Sequence, residues 1–178
     1  VIPIKNEDVY ESINCLERIK KEISSKNISK DNPSLILAKW ITGIPLIYYP
    51  WGLEAAAIRF KNSLQENAKM HVIIEDVVES CHNGVVAWEK KSQIQPILLK
   101  GADDYIKTKE KYQILIKYFQ ENKIEYREIN SVKGSILSKI ITLIYLLDYA
   151  AIYKSVIDEV DPSPVKSIEY IKKRIALN

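Results

Sequence analysis

The run IPLIYY, residues 44–49, is almost wholly apolar, lies between Gly43 and Pro50, and leads into LEAAAIRFKNSLQ, a stretch rich in helix formers. A short apolar run without polar alternation reads as a strand covered on both faces, the situation in a parallel sheet crossed by helices. The chain repeats this pairing. Strands are expected at Met70–Ile74, Pro96–Lys100 and Ile124–Ile129, with helices over Lys107–Asn122 and from Gly134 to about Val156. Ahead of them, Asn6 can cap a helix carrying Val9, Ile13, Leu16, Ile19 and Ile23, and Pro33 opens a short helix to Trp40 that Gly43 stops. Asp161–Pro164 breaks the chain before a last helix, Val165–Leu177. The expected fold is α/β, a three-layer α/β/α sandwich with a mainly parallel sheet of four or five strands. In such sheets ligands bind beyond the carboxyl ends of the strands.

The 178 residues suit one domain, 1–178, with residues 1–42 as a helical lead-in. An apolar share of 47% and a charged share of 28% belong to a chain that folds. The 26 basic and 23 acidic residues are interspersed, which argues against nucleic acid as a partner. Cys15 and Cys81 form no disulfide framework or metal spacing, so a reduced cytoplasmic setting is expected. The longest apolar stretch, Ile136–Ala151, is interrupted by Ser138, Lys139, Thr142 and Asp148 and falls short of the roughly 20 residues of a membrane span. No cofactor is expected: YYPWGLEAAA offers one glycine where a dinucleotide fingerprint needs three. Tyr48, Tyr49 and Trp51 could stack on a base, though core or interface packing is the plainer reading.

Two residues stand out as chemistry. Glu66 falls at the carboxyl end of its helix, where the dipole disfavours a negative charge, and a carboxylate there is a candidate proton-transfer base. His82 follows a strand in a turn-like segment with Asn83 and Gly84, where an imidazole can shuttle protons near neutral pH. The bland alternatives are two solvated surface residues.

Three segments carry a resemblance. FKNSLQENAK (60–69), ESCHNGVVAWE (79–89) and VDPSPVKSIEYIKKRIA (160–176) resemble, in order, the asparagine-glutamate-asparagine, histidine-asparagine-glutamate and valine-aspartate-proline segments of the bifunctional phosphoglucose/phosphomannose isomerases. These are members of the sugar isomerase (SIS) domain superfamily, and the match is to their second half.

The resemblance implies interconversion of fructose 6-phosphate with glucose 6-phosphate, and with mannose 6-phosphate, through an enediol. It places the proton-transfer glutamate at Glu66 and the ring-opening histidine at His82, delivered from the neighbouring subunit of a homodimer. It places the tail lysine at Lys172, or at Lys173 if the register slips by one. Asn83 and Arg59 complete the candidate set as substrate-binding residues.

Two positions depart from the pattern: Gly84 stands where the motif has glutamate, and Ala87 where a glycine precedes Trp88. The first could remove a polar contact that orients His82. No serine- and threonine-rich phosphate loop opens a helix; Lys133-Gly134-Ser135 is too sparse. In the resembled enzymes that loop, with a catalytic arginine, belongs to a first SIS domain, which here would precede Val1. The start at Val1, without a methionine, fits a piece of a longer chain. The expectation is therefore the catalytic carboxyl-terminal half of an isomerase, weak or inactive alone. The alternative is a non-catalytic sugar-phosphate-binding or dimerisation module.

Overall fold

The structure, a computed structural model, describes residues 4–175. Helices α1 (Asn6–Ile23) and α2 (Pro33–Trp40) precede β1 (Ile44–Tyr49), α3 (Glu54–Asn67), β2 (Ile73–Asp76) and the single turn α4 (Val77–Ser80). A 3-10 helix, Gly84–Glu89, leads to β3 (Ile94–Lys100), α5 (Ile106–Glu121), β4 (Arg127–Asn130), α6 (Ile136–Ile157) and α7 (Lys166–Ile175). The four strands are parallel, in the order β2-β1-β3-β4. That order puts β2 at one edge and the reversal of chain direction across the sheet between β1 and β3.

Side-chain alternation along the strands sorts the two cores. Ile47, Ile97 and Leu99 face a layer built by α1, α2, α3 and α6, with Phe60, Leu64, Leu143 and Leu147 filling it. Leu46, Tyr48 and Leu98 face the other layer, where Tyr112, Leu115 and Phe119 of α5 meet Val77. The expected three-layer α/β sandwich is what forms.

The helix boundaries show which local forces win. Asn6 is the first residue of α1 and Lys5 is its cap, with the Asp8 carboxylate accepting from the Lys5 N–H at 3.2 Å. The expected apolar stripe of α1 is only half used, since Val9 and Ile13 remain 41% and 47% exposed while Ser12, Cys15 and Ile23 are buried. Polar contacts set that rotation: Ser12 Oγ meets Ser138 Oγ at 3.1 Å, and the Glu11 carboxylate accepts from the Ser135 N–H and the Ser138 hydroxyl, each at 2.9 Å. Glu11 thereby fills the amino end of α6 with an anion, and these hydrogen bonds hold its pKa below the usual carboxylate value.

Buried Asn32 organises the start of α2. Its Oδ1 accepts from the Leu35 N–H at 3.0 Å while its Nδ2 donates to Ile23 O at 3.0 Å and Asn27 O at 2.8 Å. Gly43 does not end α2, which stops at Trp40; it is needed because the Gln93 carbonyl of the segment leading into β3 occupies the space a Cβ would take. β2 begins at Ile73, three residues later than the apolar run suggests, and extends into polar Glu75 and Asp76. Residues 68–72 are spent closing α3: Lys69 is left-handed at φ 56°, and the Met70 N–H turns back to Leu64 O. β4 is shortened in the same way, because Lys123 is left-handed and the Ile124 N–H bonds to Phe119 O.

α6 runs for 22 residues and is long and apolar enough by composition to cross a membrane. In the fold it is the central helix of its layer, with Leu143, Leu147, Ala150 and Ala151 buried and the Lys154 ammonium paired to Asp158 at 2.6 Å. The last helix ends its described part at Ile175; the expected residues Ala176 and Leu177 lie outside the described residues.

Candidate functional site

Helix α3 runs antiparallel to the strands it connects, so its carboxyl end, with Glu66, lies at the amino end of β2. This is the opposite side of the sheet from where ligands of open α/β sheets usually bind. The chain returns there a second time: α6 descends from the carboxyl end of β4, and residues 158–165 close the bottom before α7 starts. Lys69 ties the two visits together. Its ammonium donates to three carbonyls, Glu66 O at 2.6 Å, Pro164 O at 2.8 Å and Pro162 O at 3.3 Å. One cation thus caps the negative end of α3 and anchors the segment leading into α7. The Glu66 carboxylate is left out of that bonding and exposed.

Between these elements lies a cleft of about 580 Å³, lined by Gln65, Glu66 and Lys69 on one wall and by Pro164 to Ile168 on the other. Lys172 sits on α7 one helical turn beyond Ile168, on the same side of the helix. Lys173 is turned about 100° away from it, which favours Lys172 of the two as the residue directed along this wall. Both are exposed. Arg59, two turns before Glu66, is held elsewhere: its guanidinium makes a two-pronged pair with Asp148 of α6, with contacts of 3.0 to 3.1 Å. It does not line the cleft.

His82 lies at the other end of β2. Asp76, the last residue of the strand, caps α4 by accepting from the Val78 and Glu79 N–H groups at 2.8 and 3.0 Å. The chain then turns: the His82 N–H donates to Glu79 O at 2.9 Å, and Asn83 Nδ2 to Glu79 Oε1 at 3.2 Å. His82 and Asn83 are both exposed. Within one chain the structure brings Glu66 together with the approach to α7, and keeps His82 and Asn83 on the far side of β2.

Around Gly84 the structure supplies a carboxylate of its own. The Glu75 side chain from β2 lies against Gly84, in the space a Cβ there would need. Glu75 is partly withdrawn from water, beside an apolar cavity of about 290 Å³ that also touches Leu46, Ile73 and Trp88. Burial first, and then the neighbouring Glu79 charge, raise its pKa above the usual carboxylate value. Sequence reasoning missed Glu75 because it sits in what reads as the polar end of a strand. It missed Lys69 too, whose left-handed position makes it a clamp.

The tryptophans divide. Trp88 donates to the Tyr48 hydroxyl at 2.9 Å and stacks edge-on against Phe119, so it anchors the α5 layer of this chain. Burial pushes the Tyr48 hydroxyl up to about 12. Tyr48 therefore offers no face to a base, whereas Trp51 is 91% exposed in the turn after β1.

A parallel four-stranded sheet between two helical layers is the sugar isomerase fold, and solved structures agree. A glucose-6-phosphate isomerase like protein from Thermus thermophilus superposes with a TM-score of 0.74 at 15% identity, over 94% of this chain and 56% of that one. Tagatose-6-phosphate ketose/aldose isomerase from Escherichia coli superposes at 0.58 and 11% identity, over 85% of this chain and 44% of that one. Residues 30–175 match the bacterial phospho-glucose isomerase C-terminal SIS domain, and the chain belongs to that family. A bifunctional phosphoglucose/phosphomannose isomerase of Caldicellulosiruptor bescii is 30% identical over 90% of this chain and 48% of its own length. One of Thermoplasma acidophilum is 28% identical over 97% of this chain and 53% of its own length. The chain spans about half the length of these relatives.

Proposed function

We propose that this chain is the catalytic carboxyl-terminal SIS domain of an aldose–ketose isomerase acting on hexose 6-phosphates, glucose and mannose 6-phosphate being interconverted with fructose 6-phosphate. The observation that carries the reading is the Glu66 carboxylate, which has no hydrogen-bond or ion-pair partner among the described residues and lines a cleft whose other wall is the segment that leads to Lys172.

In this mechanism the hexose binds in the cleft in its open-chain form. The Glu66 carboxylate takes the proton from C2 of the aldose, and the electron pair moves into a C1–C2 double bond while the C1 oxygen becomes an enediolate. Transfer of the hydroxyl proton from O2 to O1 and return of the carbon-bound proton to C1 complete the ketose. Glu66 ends as it began, and one carboxylate serves both carbons because they are adjacent. Lys172 contributes a positive charge where the enediolate builds up. His82 of a second copy opens the ring by moving a proton at the ring oxygen, and Asn83 supports substrate beside it.

The phosphate is held mainly by the preceding half found in the relatives. Within this chain the amino end of α6, the place where an anion would fit, is filled by Glu11. The isolated chain should turn over fructose 6-phosphate slowly or not at all, and gain activity when the amino-terminal half of such an isomerase is added. Robust turnover by this chain alone would contradict the need for that half, and no turnover in either preparation would contradict the isomerase reading.

A second reading, a sugar-phosphate-binding or dimerisation module without chemistry, is favoured by Gly84 in place of the motif glutamate. The Glu75 carboxylate lying on Gly84 weakens that objection, since the turn that carries His82 still has an acid beside it.

A further inference from the structure

A cavity of about 340 Å³ lies where α2 ends and β4 begins, on the opposite edge of the sheet from β2. Leu35, Ile36 and Trp40 of α2 give it apolar surface, Lys30, Lys39 and Arg127 give it positive charge, and Ser29 gives it a hydroxyl. No acidic side chain is among these lining residues. The three cations make no ion pair among the described residues, where six other basic side chains do. Asp31 and Glu128 adjoin them in sequence, but neither lines the cavity, and Glu128 is paired to Lys100 at 2.7 Å.

We propose that this cavity is an anion site, separate from the Glu66 cleft, and that it takes a small phosphate monoester carrying an apolar group. Arg127 is already placed for it. Its Cζ stands 4.9 Å from the centre of the Trp40 ring, and Nη1 donates to Tyr126 O at 3.1 Å, so most of its donors are free. A guanidinium held on a ring gives up less freedom when it meets a phosphate than a loose side chain does. Ser29 Oγ accepts from the Asp31 N–H at 3.2 Å, which leaves the hydroxyl hydrogen to donate. Trp40 adds an independent sign: its indole Nε1–H is buried without an acceptor among the described residues, a state that folded interiors avoid. A phosphate oxygen is an acceptor of the kind it lacks. Three positive charges exceed what one carboxylate balances and suit a phosphate dianion. The wall of Leu35, Ile36 and Trp40 gives its organic part a place out of water.

Titration followed by NMR of the indole N–H signals tests the site without any assay of activity, the Trp40 signal being assigned with Trp40→Phe. Phenyl phosphate should move that signal saturably and bind more tightly than inorganic phosphate, while benzyl alcohol should leave it in place. The signals of Trp51 and Trp88, which do not line the cavity, should stay where they are. Arg127→Gln and Lys39→Gln, each checked for an unchanged fold by the rest of the spectrum, should each weaken phenyl phosphate by about threefold or more. Lys107→Gln removes the same charge at the amino end of α5, the far end of the sheet, and should not. An unmoved Trp40 signal, inorganic phosphate binding as tightly as phenyl phosphate, or an equal loss in Lys107→Gln would overturn the proposal.

Discussion

Glu66 and His82 occupy opposite ends of one edge strand: Glu66 closes the helix that precedes β2, and His82 follows the single turn that Asp76 caps at the strand's far end. Each end is held by a different device, a lysine clamp below and a carboxylate pair above. The two can therefore be perturbed separately.

Lys69→Met removes the clamp but keeps a non-glycine residue at φ 56°. The carbonyls of Glu66, Pro162 and Pro164 lose their shared donor, and the far wall of the cleft loses its tether. Limited proteolysis should cut within residues 160–166 several-fold faster than in the parent chain, with thermal stability lowered by about 1–2 kcal/mol. Unchanged cleavage would mean that α7 is held by other contacts.

Gly84→Glu puts a second carboxylate where Glu75 already lies. The substitution should destabilise the chain, and Glu75→Gly in the same molecule should recover the loss. A double-mutant cycle read by urea unfolding should give a coupling of roughly 0.5–3 kcal/mol. Additive effects would show that the two positions do not share a space.

Glu11 gives the amino end of α6 a dependence on pH. Its folded-state pKa lies below the ordinary 4.5, because it accepts hydrogen bonds from Ser135 and Ser138. A depressed carboxylate stabilises the fold fully above the unfolded-state value and loses that contribution as the pH falls through the folded-state value. Melting temperature should therefore fall below about pH 4.5, and Glu11→Gln should flatten the curve there while lowering it at pH 7. A Gln variant with the parent's acid profile would contradict this.

Asn32→Ala removes a helix cap and leaves two carbonyls, Ile23 O and Asn27 O, without the amide that serves them. The expected loss is about 2–4 kcal/mol by chemical denaturation. A loss under 1 kcal/mol would mean that Tyr153, whose hydroxyl also donates to Ile23 O at 2.6 Å, carries the site alone.

Much of this fold is written locally. Pro33–Trp40 and Ile44–Tyr49 form with the expected ends because proline and composition point the same way there. β2 and β4 start late because left-handed lysines close the preceding helices, and no periodicity signals a left-handed lysine. Val9 and Ile13 stay exposed because Glu11 and Ser12 have tertiary partners more than 120 residues away. Glu66 and His82 were legible as residue types at a helix end and in a turn. Their separation by the edge strand was not, because it depends on which strand lies outermost, a property of the whole sheet. Lys69 and Glu75 act through backbone carbonyls and a missing Cβ, which leave no trace in a motif.

The account turns on a carboxylate that moves a carbon-bound proton. Deuterium incorporation from D₂O into C1 and C2 of hexose 6-phosphate, followed by NMR with the chain complemented by an isomerase amino-terminal half, reads that step directly. The account predicts exchange at both carbons, a loss of roughly 10²–10⁴-fold in Glu66→Gln, and exchange in His82→Ala that survives with open-chain substrate. Exchange at the parent rate in Glu66→Gln would contradict it.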